Sequence, residues 1–372
     1  MTDASIATRP VQHASPLRSA LPFVFAILIA LLFHLVVGPM LGAYPSRVLL
    51  DIGVAVILAV SLNIVNGYTG QFSIGHAAFM TIGGYVAGAI TYYTSLHLWG
   101  DIAVDNTLSG GHGWLLVVAC LAGGVASSLA GWVVGLPSLR LRGDYLAIVT
   151  LGFGEIVRVL LQQTSQQFYD PAEMHAATWR DWLAIPVGGA LGFSDLPPLT
   201  NLFWMYLAVG LTILFAYRLK QSSYGRALLS IREDEIAAEA MGINVTRLKV
   251  RAFIFAAFFA GLGGGLSAHY SIIRPIDAGF AQSFDIVIMV VLGGLGSISG
   301  AVVAAILLTV VKMALTEYGI YRMILYALLL IILMIFRPRG LFGVREIWDF
   351  LPASKRKFPV PVTASAQEQA LS

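Results

Sequence analysis

The sequence predicts an all-α, polytopic integral membrane protein with about ten transmembrane or membrane-embedded helices, broken or short at the centre. Three observations carry that prediction. Of 372 residues, 58% are hydrophobic and only 12% are charged, about half the charged share of an ordinary soluble domain. The mean hydropathy is +0.80. Apolar runs long enough as helix to cross a hydrocarbon core ~30 Å thick follow one another along most of the chain. Length alone allows two or three soluble domains, but too little polar sequence separates the runs to build them. One continuous membrane domain over residues 21–345 is expected, between a polar N-terminal segment, 1–20, and a C-terminal tail, 346–372.

In chain order the candidate spans fall at about 21–42, 48–66, 72–94, 113–136, 145–162, 201–219, 251–272, 284–295, 300–316 and 321–336. The first is too long for a signal peptide core and has no small-residue cleavage site after it, so it is expected to stay attached. The third and the short eighth are rich in Gly and Ser, which suits broken or re-entrant helices shielded by protein. Cys120, in the fourth, is the sole cysteine; it excludes an intrachain disulfide and a thiolate metal site. The polar stretch from Pro352 to Ser372 has no apolar periodicity and reads as disordered.

Ten crossings put both termini on one side, and the excess of Lys and Arg in cytoplasmic loops identifies that side. Arg9 and Arg18, Arg140 and Arg142, seven cations from Arg218 to Arg251 and six from Arg337 to Lys357 share it. The opposite side holds only Arg47, Arg180, Arg274 and Arg322. Both termini are therefore expected in the cytoplasm. The longer connectors at about 95–112 and 163–200, which carry Asp101, Asp105, Asp170, Glu173, Asp181 and Asp195, face outward. The cations are spread among loops without interleaved aromatics, so nothing supports nucleic-acid binding.

The loop over residues 224–250 is charged, long and helix-forming. Ala227, Leu228, Ile231, Ile236, Ala240 and Met241 recur at helical spacing, and Arg232, Glu233, Asp234 and Glu235 form a polar face. Gly242 followed by Asn244 stops the helix, and a second short helical stretch follows the turn. Such a helix either lies in the lipid interface or docks its Ala-rich face, with Ala237 and Ala238, into a cleft on a partner.

Polar residues inside the spans form the second set of candidates. Asn63, Asn66, Gln71, Ser73 and His76 fall within or between apolar segments, where an unsatisfied polar group is costly. They serve either as interhelical hydrogen bonds or as the lining of a translocation path. Glu155 and Arg158, three residues apart, share a helix face and can pair; Asp285 and Lys312 have the same two readings, structural ion pair or transport element. The Gly-rich stretch from Gly293 to Gly300 has no Lys after it and opens no strand-helix unit, so it is no nucleotide loop. No zinc-ligand spacing or nucleophile elbow is present, and the chain reads as no enzyme, binding no cofactor or metal of its own.

At this point the sequence resembles the permease subunits of ABC importers, whose cytoplasmic loop carries Glu-Ala-Ala, three residues, then Gly. Here Ala237, Ala238 and Gly242 stand at that spacing, with Ile236 in the Glu position and Glu235 one place earlier. More narrowly it resembles LivM-type branched-chain amino acid permeases, through LNIVNGYTGQFSIGHAAFMTIGGY (62–85), LRLRGDYLAIVTLGFGEIVR (139–158), the 224–250 loop, VVLGGLGSISGAVVAA (290–305) and RPRGLFG (337–343). The resemblance implies a subunit of the bacterial inner membrane that pairs with a homologous permease, binds two cytoplasmic ATPases that use ATP, and receives solute from an external binding protein. It implies pseudo-symmetric halves, for which GQFSIGHAAF and GLGSISGAVV hint at an internal repeat. Relatives that carry urea or short amides leave the solute open. An ion-gradient-driven secondary transporter is the competing class, and acidic residues at mid-membrane would favour it.

Overall fold

The computed structural model describes residues 16–100, 113–138, 145–337, 340–343 and 346–347. All ten expected spans contain a helix. In chain order these are α1 (Pro16–Leu32), continued through a π-turn at Phe33–Val37 to Met40; α2 (Ala43–Asn66); α3 (His76–Trp99); α4 (Gly113–Ser138); α5 (Tyr145–Gln162); and α6 (Leu202–Gln221). The 224–250 loop supplies α7 (Ser223–Glu233) and α8 (Glu235–Ala240), followed by α9 (Val245–Ala268), α10 (Phe280–Gly293), α11 (Ile298–Ala314) and α12 (Arg322–Phe336). Among the described residues, seven helices are long and apolar enough to cross a membrane by themselves; α10 and the apolar part of α12 are shorter.

The third segment differs from expectation at its start. Residues 72–75 are not helical, and the chain stays irregular from Gly67 to Gly75 before α3 runs unbroken to Trp99. The break therefore precedes the helix. The short eighth segment is one 14-residue helix, α10, ended by a second break at 294–297. Irregular backbone of this kind is tolerated in a bilayer only when protein or a water-filled path covers it.

A single large apolar core runs through α2, α3, α9, α10 and α11. Small residues set its density, as expected where lipid removes the hydrophobic drive for helix association and close backbone contact replaces it. At Gly264 on α9 an added Cβ would stand 1.8 Å from the carbonyl oxygen of Met80 on α3. By contrast, α1 lies at the periphery, with Leu21, Val24, Phe25, Leu28 and Leu35 exposed, and touches α6 through stacked rings of Phe33 and Tyr206 at 3.8 Å.

Contacts between connectors sort them into two faces. On one, Gly67, Lys220, Arg232, Gly296 and Glu346 meet. On the other, the 163–200 connector folds over the outer end of α3 in a second apolar cluster that includes Tyr92, Met174, Val187 and Phe193. That connector is tied down by the Phe193 amide donating to the Ile273 carbonyl at 2.9 Å. The ten-segment reading assigns these same connectors to the two sides. Arg9, Arg140, Arg142, Arg339, Arg345, Lys355, Arg356, Lys357, Asp101, Asp105 and the stretch from Pro352 lie outside the described residues, as does most of the N-terminal segment.

Candidate functional site

The two breaks in the helices lie side by side. Asn63, one turn before the end of α2, reaches across both ways: its Nδ2 donates to the Ser297 carbonyl at 3.1 Å and its Oδ1 accepts from the Gly296 amide at 2.9 Å. An amide side chain is suited to this because it offers a donor and an acceptor together. Within the first break Asn66 Oδ1 accepts from the Ser73 amide, and Thr150 Oγ1 on α5 accepts from the Ile74 amide. At the start of α3 the Ser61 hydroxyl meets His76 Nε2 at 2.8 Å, and the Ala77 amide donates to Ser283 Oγ on α10. Asn63, Asn66, Gln71, Ser73 and His76 are all buried. Among the described residues, Asn66 Nδ2 and Ser73 Oγ have no hydrogen-bond partner.

The stretch of the loop before Gly242, expected as one helix, forms two. Asp234 adopts an extended backbone, φ −156° and ψ 111°, which ends α7, and its side chain caps α8 by accepting from the Ile236 and Ala237 amides. Asp is favoured at this position because its carboxylate satisfies free amides and suits the helix dipole. The interruption divides the expected apolar face. Leu228, Ile231 and Ala238 turn inward and are buried, whereas Ile236 and Met241 are 74% and 82% exposed. Ala237 is exposed as well. Gly242, at φ +83°, makes the left-handed turn that sends the chain back to Asn244, the cap of α9.

The loop is bonded to both breaks. Arg232, in the last turn of α7, donates through Nη1 to the Gly67 carbonyl at 2.9 Å and to the Leu295 carbonyl at 3.3 Å. Glu235 pairs with Lys249 at 2.7 Å. Together with Thr69, Gly70 and Gln71, these residues line a cavity of about 230 Å³. Glu233 is exposed.

Glu346, drawn by sequence as the first residue of the tail, belongs to the folded domain. It is 4% exposed and sits on the N-terminus of α11, accepting from the amides of Ile298 and Ser299, the Ser299 hydroxyl and Lys220 Nζ. Burial pushes its carboxyl up, but the bonds from Lys220, Ser299 and Ile298 outweigh burial and hold it below the usual carboxylate range. Lys220 also donates to the Gly296 carbonyl at 2.7 Å.

The other charged candidates are paired and stand apart from the breaks. Arg158 Nε meets Glu155 at 2.6 Å on α5, both partly exposed, beside Gly279. Lys312 meets Asp285 at 2.8 Å between α11 and α10. Asp51, which the sequence reading passed over, accepts from the Tyr270 hydroxyl at 2.8 Å. An acidic residue inside an apolar run was the signal for it.

A family profile described as "Branched-chain amino acid transport system / permease component" matches residues 44–336. The chain belongs to this permease family. The permease is 32% identical over 92% of its length to the high-affinity branched-chain amino acid transport system permease protein LivM of Escherichia coli K12, covering 78% of that protein. It is 34% identical to the protein of the same name in Salmonella typhimurium, over 77% of the permease and 67% of the relative. It is 27% identical to LivH of Escherichia coli K12, over 78% of the permease and 92% of that relative. No solved structure matches. The permease is thus a multi-pass membrane protein and a transport component, and its matched region contains both breaks and the whole α7–α8 loop.

Proposed function

We propose that this permease is one of a pair in an ABC-type importer of branched-chain amino acids, and that ATP is hydrolysed by separate cytoplasmic ATPases docked on α8. The single observation that carries the proposal is the pair of hydrogen bonds that Arg232 donates to the Gly67 and Leu295 carbonyls, since it joins the protruding loop to both irregular segments of the membrane core. Movement of a partner bound at α8 is transmitted through α7 to the backbone at the two breaks. The exposed side chains of Ile236, Ala237 and Met241 form the apolar contact, and Glu233 and Glu239 at its rim fix register. The breaks, held by Asn63, Asn66, Gln71, Ser73 and His76, flank the translocation path, and Glu155, Arg158 and Asp285 lie nearer its outer end.

Both LivM and LivH of one organism are similar to this chain, which supports a homologous rather than an identical second permease. The positive-inside distribution supports cytoplasmic termini in the inner membrane, with a solute-binding protein on the 163–200 face. A self-sufficient secondary transporter is disfavoured because, among the described residues, the in-span carboxylates Asp51, Glu155 and Asp285 are each bonded to a partner.

Copurification tests the docking role. Ala237→Trp and Met241→Glu change exposed atoms and leave the fold in place, so loss of bound ATPase from an intact permease pair is expected; unchanged ATPase binding by both variants would overturn it. Uptake of labelled leucine against labelled urea by the complete transporter tests the substrate class.

A further inference from the structure

A cavity of about 320 Å³ opens on the outer face where α2 begins, α9 ends and the 163–200 connector folds back. This lies at the low end of the ~300–1,000 Å³ range of small-molecule sites. Its wall combines apolar surface from Phe193, Leu196 and Ile272 with two opposite charges, Arg47 and Asp195, and the edge of Tyr270. Among the described residues, Arg47 makes no hydrogen bond or ion pair. Asp195 is held at φ +56°, a conformation unfavourable for a residue with a Cβ; its carboxylate accepts only from the neighbouring Ser194 hydroxyl among the described residues. Strain at a cavity wall that keeps a carboxylate in position is the kind of local cost found at binding sites.

The polar groups continue inward from the cavity. Asp51 stands one helical turn below Arg47, ~6 Å deeper along α2. It receives the Tyr270 hydroxyl and feels the positive charges of Arg47 and Lys312. Lys312 in turn is paired with Asp285. Charged groups of alternating sign therefore continue beyond the cavity wall, from Arg47 to Asp51, Lys312 and Asp285.

We propose that this cavity is a subsite on the permease itself for a free zwitterionic amino acid with an apolar side chain. The carboxylate is received at Arg47 and the ammonium at Asp195, with the side chain against Phe193, Leu196 and Ile272. The ligand then passes to the Tyr270–Asp51 pair. A simple anion is repelled by Asp195 and a simple cation by Arg47; a neutral diamide gains from neither charge. The inference rests on the importer reading given above.

Its test uses the assembled transporter, both permeases with their ATPases, in nanodiscs without any external binding protein, and measures saturable binding of tritiated leucine by scintillation proximity. The intact complex should bind leucine. Arg47→Gln and Asp195→Asn should each weaken binding tenfold or more, Arg47→Lys should recover most of it, and Arg180→Gln, on the same connector but outside the cavity, should leave it unchanged. 4-Methylpentanoate and 3-methylbutylamine, each lacking one charge, should compete at least tenfold less well than unlabelled leucine. Gel filtration establishes that the variants assemble. Wild-type affinity in both Arg47→Gln and Asp195→Asn overturns the subsite, as does an equal loss in Arg180→Gln. Leucine uptake by the complete transporter, measured in parallel, separates the two levels: uptake without binding sinks the subsite and leaves the importer reading standing, whereas absence of both sinks the two together.

Discussion

Replacing Arg232 by Ala removes the connection between α7 and the two breaks without touching the exposed surface of α8. The lost interactions are two charge-assisted hydrogen bonds, at 2.9 and 3.3 Å. A bond to a charged donor contributes about 1.5–3 kcal/mol when well formed, and the longer one lies outside the normal distance range and counts for little. Partial exposure of the guanidinium lowers the total, leaving about 2 kcal/mol, or roughly 30-fold in any equilibrium that depends on the link. In proteoliposomes containing the full transporter, uptake per ATP hydrolysed should fall at least tenfold while ATPase subunits remain bound and basal hydrolysis continues. Arg232→Lys, which retains a charge but can reach only one carbonyl well, should fall between. Uptake within twofold of wild type in an assembled Arg232→Ala transporter would refute the idea that force crosses at this side chain.

Gly264→Val, which drives a side chain into the Met80 carbonyl, should abolish accumulation of folded protein by fluorescence-detected gel filtration; Gly152→Ala, with nothing within 4 Å, should not. Glu346 has a folded-state carboxyl below its ordinary value, so its stabilisation is present above the unfolded-state value and is lost as pH falls through the folded one. Glu346→Gln should therefore lower Tm at neutral pH and flatten its decline through the carboxylate range, measured by intrinsic fluorescence. Lys312→Ala leaves the partly buried Asp285 without its cation and should destabilise the protein by more than the double reversal Asp285→Lys with Lys312→Asp, as thermal melts of the three variants would reveal. Ser73→Ala removes a buried hydroxyl that has no partner among the described residues; it should leave Tm unchanged or raise it, in contrast to a fall of several degrees for Asn63→Ala.

Hydropathy and length located a helix in each of the ten expected segments, because each is written in a contiguous window of chain. What stayed hidden depends on contacts between distant windows. The start of α3 was placed at residue 72 because Phe72 and Ile74 extend the apolar run; the backbone there is instead fixed by Thr150 and Asn66, which draw its amides out of a helical ladder. The α7–α8 loop was read as one amphipathic helix because Ile231 and Ile236 fit a helical period. Asp234 breaks that period, and its preference for capping was the available signal. Glu346 could not be found from pattern, because its partner Lys220 lies 126 residues away. Asp51 was visible by the same rule that selected Asp285, a carboxylate in an apolar run.

The two breaks explain why small and polar residues gather around residues 63–76 and 293–300 of this chain. A continuous helix satisfies its own backbone and transmits displacement rigidly along its axis; a broken one exposes amides and carbonyls that must be satisfied laterally. Here the lateral partners are Asn63, Thr150, Ser283 and Arg232, supplied by α2, α5, α10 and α7. Each such bond ties a different element to the same few residues, so displacing any one of them disturbs a common junction. Arg232 is the only one of these four that stands on the cytoplasmic loop. The polar groups inside the membrane and the charged helix outside it are therefore two ends of one linkage, and the glycines between them, Gly70 against the Arg232 stem and Gly296 against its guanidinium, leave the space through which that side chain reaches the backbone.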